Sequence, residues 1–259
     1  MPIRQAAPRV LQNRLALALT LFVASALAGP AISAAAPAPS VLTLKTVRVG
    51  APGNPSVGIV PFTDAIYTSC AEAEGIKPPC QQVGGVDYRY GIGQLEVTVA
   101  QYVAFLNTAD PAGRNRHKLY SSNESSSEWP KYGQIDFSAG ASRGRHYTVA
   151  SPEWADKPYG FANFLRSARF VNSLYNGQLL SKHASANAGF SYVTYRVRLS
   201  RRTEQGMYDM TKRATTRSHK SGFVVPSQNE WIKSAYYDPS GGGKYSYWEY
   251  PTNPGAFGD

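Results

Sequence analysis

The stretch FVVPSQNEWIKSAYYDP, residues 223–239, carries both ends of a helix in its own letters. Ser227 is followed three residues later by Glu230. This is the capping box, in which the Ser hydroxyl accepts from the third backbone N–H while the Glu reaches back to the cap. Glu230 also stands at the positive end of the helix dipole, so capping is a sufficient reason for an acid there. GFVVP ahead of it reads as a short strand, and Asp238-Pro239 ends the helix because proline has no N–H to continue it. Trp231 and Ala235 are expected to face inward. A second box, Thr98-Val99-Ala100-Gln101, opens a helix with Val99, Tyr102, Val103 and Leu106 on one face and Val97 placed to staple onto Tyr102. A third helix is predicted in FANFLRSARFVNSLYNG, residues 161–177. There Phe161, Phe164, Leu165, Ala168, Val171 and Tyr175 form a stripe and Asn176-Gly177 offers a left-handed stop.

Between these helices the strand signals are VLTLKTVRV at 41–49, VDYRYGIGQLEV at 86–97 and SYVTYRVRL at 191–199. GAPGNP breaks the first strand, and residues 53–85 read as an irregular loop pinned by a disulfide. Residues 109–156 read as long loops with short strands such as RHYTVA, and SGGGK is a flexible tip before YSYWEYPT. The 23 Gly and 18 Pro imply many turns, so the 17 Tyr, 10 Phe and 4 Trp are expected to anchor the core. No internal repeat or linker divides the chain.

Arg4, Arg9 and Arg14 precede an apolar run from Leu15 to Ala28 that ends in small residues, the pattern of a secretory signal peptide. That run is shorter than the ~20 residues a membrane span requires, and Ala26-Leu27-Ala28 or Ile32-Ser33-Ala34 offers a cleavage site. The expected organisation is a signal peptide at 1–34, a spacer at 35–44 and one domain at 45–259. The expected location is periplasmic, cell-surface or secreted. Loss of Arg4, Arg9 and Arg14 lowers the formal charge from +10 to +7, still basic. Export argues against nucleic acid as partner and favours anionic surface polymers, glycans or exported proteins and peptides. The basic residues concentrate at Arg196, Arg198, Arg201, Arg202, Lys212, Arg213, Arg217 and Lys220, read as a solvated face or as a binding surface. Cys70 and Cys80 are expected to form a disulfide in an oxidising compartment; a redox or copper-binding pair is the alternative, with no His nearby to support it.

Hydrolase and nucleotide motifs are absent: there is no G-x-S-x-G and no H-E-x-x-H, and GGGKY lacks the spacing of a P-loop. His117, His146, His183 and His219 are scattered and read as ordinary surface residues, and NES at 123–125 is a weak glycosylation match. Tyr236, Tyr237, Tyr245, Tyr247, Trp248 and Tyr250 form one aromatic group. It reads either as packing of the last hairpin or as a groove that stacks on a peptide or sugar ring. Tyr245, Tyr247 and Trp248, with Arg201 and Arg202, are the candidate binding surface.

Six stretches in order carry a resemblance. They are VGAPGN (49–54), VDYRYGIGQLEVTVAQYVAFLN (86–107), KPYGFANFLRSARFVNSLYNGQ (157–178), TEQGMYD (203–209), VPSQNEWIKSAYYDP (225–239) and YWEYPT (247–252). The ordered set resembles the formylglycine-generating enzyme, or sulfatase-modifying factor, family in its exported bacterial branch. The resemblance implies an α+β, C-type-lectin-like, loop-rich fold. The chain departs from the branch's pattern at Arg166, where the family carries Asp, and at Ser173, where it carries Trp. In the family's copper-dependent oxidases the active cysteine pair, the calcium loops and the GNVWEW and RGGSW motifs follow the YP segment. Here eight residues follow Tyr250-Pro251, so the expectation is a domain incomplete at its C-terminus. It would carry neither copper nor calcium and would not be competent to convert cysteine to formylglycine. The second expectation is a non-catalytic lectin-like module for extracellular glycans or peptides.

Overall fold

The computed structural model describes residues 40–59, 66–67, 81–187, 189–241 and 246–248, all within the unit Pro37–Asp259. The signal segment, Cys70, Cys80, Tyr245 and Tyr250 lie outside the described residues.

Strand β1 (Val41–Val49) is the hub of a four-stranded antiparallel sheet. It pairs on one side with β5 (Tyr90–Gly93) and on the other with β9 (Phe190–Arg198), which forms a hairpin with β8 (Gln178–Asn187). The order is β5-β1-β9-β8. β5 is much shorter than the 86–97 strand expected. β8 was not expected, and its ten residues are exposed at all positions but one, so it has no apolar alternation to announce it. The segment read as irregular contributes three short antiparallel strands, β2 (Val57–Ile59), β3 (Ile66–Tyr67) and β4 (Gln81–Val83). β6 (Ile135–Phe137) pairs with β7 (Tyr147–Val149), the latter inside RHYTVA.

Helix α1 (Val99–Ala109) begins as its sequence dictates. Thr98 and Gln101 make both hydrogen bonds of the capping box, and the next N–H groups, of Val99 and Ala100, donate to the carbonyls of Lys157 and Ala155. All four expected inward residues are buried, but so are Ala104, Phe105 and Asn107. A helix buried nearly all round is the centre of a core. Around it gather Leu42, Leu119, Ile135, Tyr147, Phe170, Leu174, Val197 and Leu199, with the Tyr102 and Tyr159 rings stacked at 3.8 Å.

Helix α2 (Phe164–Tyr175), capped by Asn163, has two apolar faces. Of the expected stripe, Phe164, Leu165, Ala168, Val171 and Tyr175 pack with Met207, Tyr208, Met210, Val224 and Val225, while Phe161, before the helix, joins Phe170 and Leu174 in the core around α1. The expected left-handed stop is not formed: Asn176 has φ −80°, ordinary right-handed backbone. Gly177 serves close approach instead, since a Cβ there would stand 2.2 Å from the Arg198 carbonyl oxygen.

Helix α3 (Gln228–Tyr236) has both capping-box bonds between Ser227 and Glu230. GFVVP is not a strand; Phe223 packs towards the α1 core while Val224 and Val225 fill the second cluster. Trp231 points outward, 53% exposed, and Ala235 is half-buried. The inward face is Glu230, Ile232 and Lys233.

Buried side-chain amides join the loops to this frame. Asn54 accepts from Val86 N–H and donates to Gly84 O; Asn107 accepts from and donates to the backbone of Tyr147; Asn172 accepts from Tyr208 N–H and donates to Thr203 O and Tyr208 O. Each amide supplies the partner that a buried loop would otherwise lack.

Candidate binding groove on the sheet

The core face of the sheet changes character along its length. At one end the cross-strand row is Leu42, Val197 and Leu179, and next to it lie Leu44 and Tyr195. Further along the row becomes Thr46, Val193 and Ala184, with Gly93 opposite Thr46 and Gly91 opposite Arg48 on β5. Small side chains in mid-sheet leave a groove of about 630 Å³ whose lining includes Arg48, Arg89 and Tyr195; Tyr90 and Tyr192 border it, but opposite Val49 and Val47 their side chains project from the other face of the sheet. That volume falls within the range of ordinary ligand clefts.

The walls are fixed by contacts behind them. The Tyr90 hydroxyl donates to Glu230 O at 2.6 Å and lies 2.8 Å from the Ser234 hydroxyl, binding β5 to α3. Burial pushes the Tyr90 phenol above its ordinary range, so it stays a neutral donor. Tyr195 meets Phe223 edge-on at 5.2 Å, and Tyr192 meets Phe190 at 6.2 Å. Lys45 Nζ lies 4.0 Å from the Tyr192 ring centre and Lys182 Nζ 5.6 Å from that of Tyr195. The described lining contains two guanidinium groups and no carboxylate, and neither Arg48 nor Arg89 enters an ion pair among the described residues. Such a surface can stack on a flat ring face while guanidinium and hydroxyl groups donate to its oxygens.

The surface expected from the sequence is distributed differently. Tyr247 is built into the frame: its hydroxyl accepts from Asn54 Nδ2 at 2.6 Å and donates to Pro55 O at 2.9 Å, and its ring meets Tyr237 at 5.2 Å. Burial pushes its phenol up to about 12. Trp248 is half-buried and its backbone N–H donates to Tyr236 O. Arg201 and Arg202 are exposed beyond β9, where the Arg202 carbonyl accepts from Asn176 Nδ2. Among the described residues no hydrogen bond, ion pair or ring contact joins Tyr247 or Trp248 to Arg201 or Arg202. Tyr245 lies outside the described residues.

Of the remaining basic residues, Arg217 forks onto both oxygens of Glu230 at 2.9 and 3.0 Å and also reaches the Tyr88 hydroxyl. His146 is buried rather than on the surface, with Nδ1 2.9 Å from Ser138 O and its ring stacked near Phe137. Cys70 and Cys80 lie outside the described residues. Among the described residues no three His, Cys, Asp or Glu side chains converge.

The groove residues had a signal that composition did not isolate. Tyr and Arg stand together in YRYG and in YVTYRVR, and pairing of both segments with β1 sets one on each side of it. Comparison of the chain with protein-family models, curated proteins and solved structures returns no match. No helix among the described residues is long and apolar enough to cross a membrane.

Proposed function

We propose that this chain is an exported domain of the sulfatase-modifying-factor type, with a C-type-lectin-like scaffold, that acts as a non-catalytic binding module for an extracellular glycan. The observation that carries this reading is the sheet groove. It combines the Tyr195 ring with two guanidinium groups, Arg48 and Arg89, that meet no acid among the described residues, a composition suited to sugar rings that carry carboxylate or sulfate. The family part rests on the six ordered sequence stretches. Several of them supply the residues that join loops to the frame: Asn54, Asn107, Asn172, Glu230 and Lys233. These are scaffold roles, and a scaffold can be kept while its chemistry differs. Oxidation through copper requires soft thiolate ligands. The two cysteines of residues 1–259, Cys70 and Cys80, precede most of the family-like stretches, and no catalytic role is carried onto them.

A glycan array with acidic, neutral and sulfated members tests the binding reading. The expected result is retention of acidic glycans that Arg48→Ala and Arg89→Ala abolish and Arg201→Ala leaves intact. Absence of glycan binding, or equal loss in all three variants, would overturn it. Incubation with copper and a sulfatase-derived cysteine peptide tests the other half: aldehyde formed on the peptide would restore the oxidase reading.

A further inference from the structure

A second cavity, of about 290 Å³, opens where α1 runs into the loop that follows it, and its lining includes Asp110, Arg114, Asn115, Arg116, His117 and Arg143. The loop is held in a conformation that side chains rarely adopt. Asn115 and Lys118 both have φ near +50°, in the left-handed region. Such strain persists only where surrounding contacts fix it, and here they do. The Asn115 side chain accepts from Tyr120 N–H and donates to Tyr120 O, and the Asp110 carboxylate accepts from the N–H groups of Arg114 and Asn115 and from the Tyr147 hydroxyl. Gly144 N–H donates to Pro111 O, which joins the Arg143 turn to the same loop. At Gly113, φ +62°, a Cβ would lie 2.7 Å from the His146 ring. The cavity therefore has a fixed backbone.

Its charge is left open. The Asp110 carboxylate is engaged by two N–H groups of its own loop and by the Tyr147 hydroxyl of β7, and Glu204, 3.4 Å from His117, is already forked by Arg169. Among the described residues no carboxylate pairs with Arg114, Arg116 or Arg143, and their guanidinium groups make no hydrogen bond. Three unengaged guanidinium groups on a rigid rim are the arrangement that recognises a multivalent oxyanion, because each can present paired N–H donors to two oxygens. We propose that this loop cavity is an oxyanion site that takes the phosphate or sulfate group of a small ligand. It is separate from the sheet groove and independent of the glycan reading.

Calorimetric titration of the full chain at low ionic strength tests it, with inorganic phosphate, inorganic sulfate, glucose 6-phosphate, glucose 6-sulfate and glucose as probes. The expected result is saturable binding of the inorganic ions and of at least one ester, and none of glucose. Tighter binding of the esters identifies an esterified ligand, and tighter binding of the inorganic ions a free oxyanion. Arg114→Gln and Arg143→Gln should each weaken binding about ten-fold, as loss of a charge-assisted pair does. Arg201→Gln, an equal change of net charge elsewhere, should leave it unchanged. Equal weakening by Arg201→Gln would reduce the effect to general electrostatics and overturn the proposal. Amide chemical shifts under phosphate titration locate the site without any variant. The largest changes are expected in residues 110–120 and at Arg143 and Gly144, and changes confined to the sheet groove, or no changes, would also overturn it.

Discussion

The ammonium group of Lys233, on a residue only 1% exposed, donates to the carbonyl oxygens of Ala51 at 2.7 Å and Val86 at 3.2 Å. No carboxylate forms an ion pair with it among the described residues. Ala51 has φ +46°, so the lysine fastens α3 to a strained turn inside VGAPGN. Burial lowers the Lys233 pKa, partly offset by the Asp87 charge.

Two substitutions separate the bond from the space it fills. Lys233→Ala removes both hydrogen bonds and leaves a cavity, and should cost about 3 kcal/mol. Lys233→Met keeps most of the volume and removes a costly buried charge. Val86 O keeps a donor in Gly53 N–H, so the loss should be about 1 kcal/mol. Urea unfolding of the three proteins checks the order; a methionine variant as unstable as the alanine one would contradict it.

The Glu230 pKa is also lowered, but by its partners rather than by burial. Burial alone would raise its pKa, but the Arg217 fork, the Ser227 N–H and the Tyr88 hydroxyl outweigh burial and hold it below the usual carboxylate range. A depressed acid contributes stability that is fully present above its unfolded pKa, near 4.3, and is lost as pH falls through the folded value. Glu230→Gln should cost about 2 kcal/mol at pH 7. The gap from the wild type should then close as pH falls below about 4, measured by thermal unfolding.

Local signals were legible where a single segment decides the outcome. Both capping boxes formed as written; β1 and the centre of β9 followed from strand-like residue content, and the inward face of α1 from spacing. What the sequence did not reveal depends on distant partners. β8 lies at a sheet edge with both faces largely exposed, so it needs no apolar period and forms because β9 offers it a ladder. Trp231 faces outward because the inward positions of α3 go to Glu230 and Lys233, whose partners lie in remote turns. β2 to β4 are two or three residues long, too short for alternation to register. The groove was hidden for the same reason: Arg48, Arg89 and Tyr195, far apart in sequence, come to line one groove only through the pairing of β1 with β5 and β9.

Gly177 gives a local test of the passage from α2 to β8. An added methyl would meet the Arg198 carbonyl oxygen, and neither strand can retreat without breaking the hairpin's first pair, Gln178 with Arg198. Gly177→Ala should therefore cost about 3 kcal/mol or prevent folding. Gly140→Ala, where a Cβ meets nothing within 4 Å, should be neutral within about 0.5 kcal/mol. Differential scanning calorimetry of the two variants decides whether backbone approach is what Gly177 provides.

Arg166 is where the chain departs from the family-like pattern, and the departure is matched by a partner. Its guanidinium donates to Glu124 Oε1 at 2.8 Å and to the carbonyls of Phe161 and Lys118, while Glu124, fully buried, also accepts from Tyr159 OH and Ser121 N–H. Burial dominates at Glu124 and raises its pKa despite these donors. Arg166→Asp should set a second carboxylate beside a buried one and cost about 3–5 kcal/mol at pH 7. Arg166→Met removes the compensating charge without adding another. The folded protein would then hold the Glu124 proton more tightly than the unfolded chain does, and stability would fall as pH rises from about 4.3 through the folded value. Arg166→Met should accordingly be more stable at pH 5 than at pH 7, and adding Glu124→Gln should remove that slope. Chemical denaturation of both variants across this range checks it, and a single variant with no slope would mean that Glu124 is not the group left uncompensated.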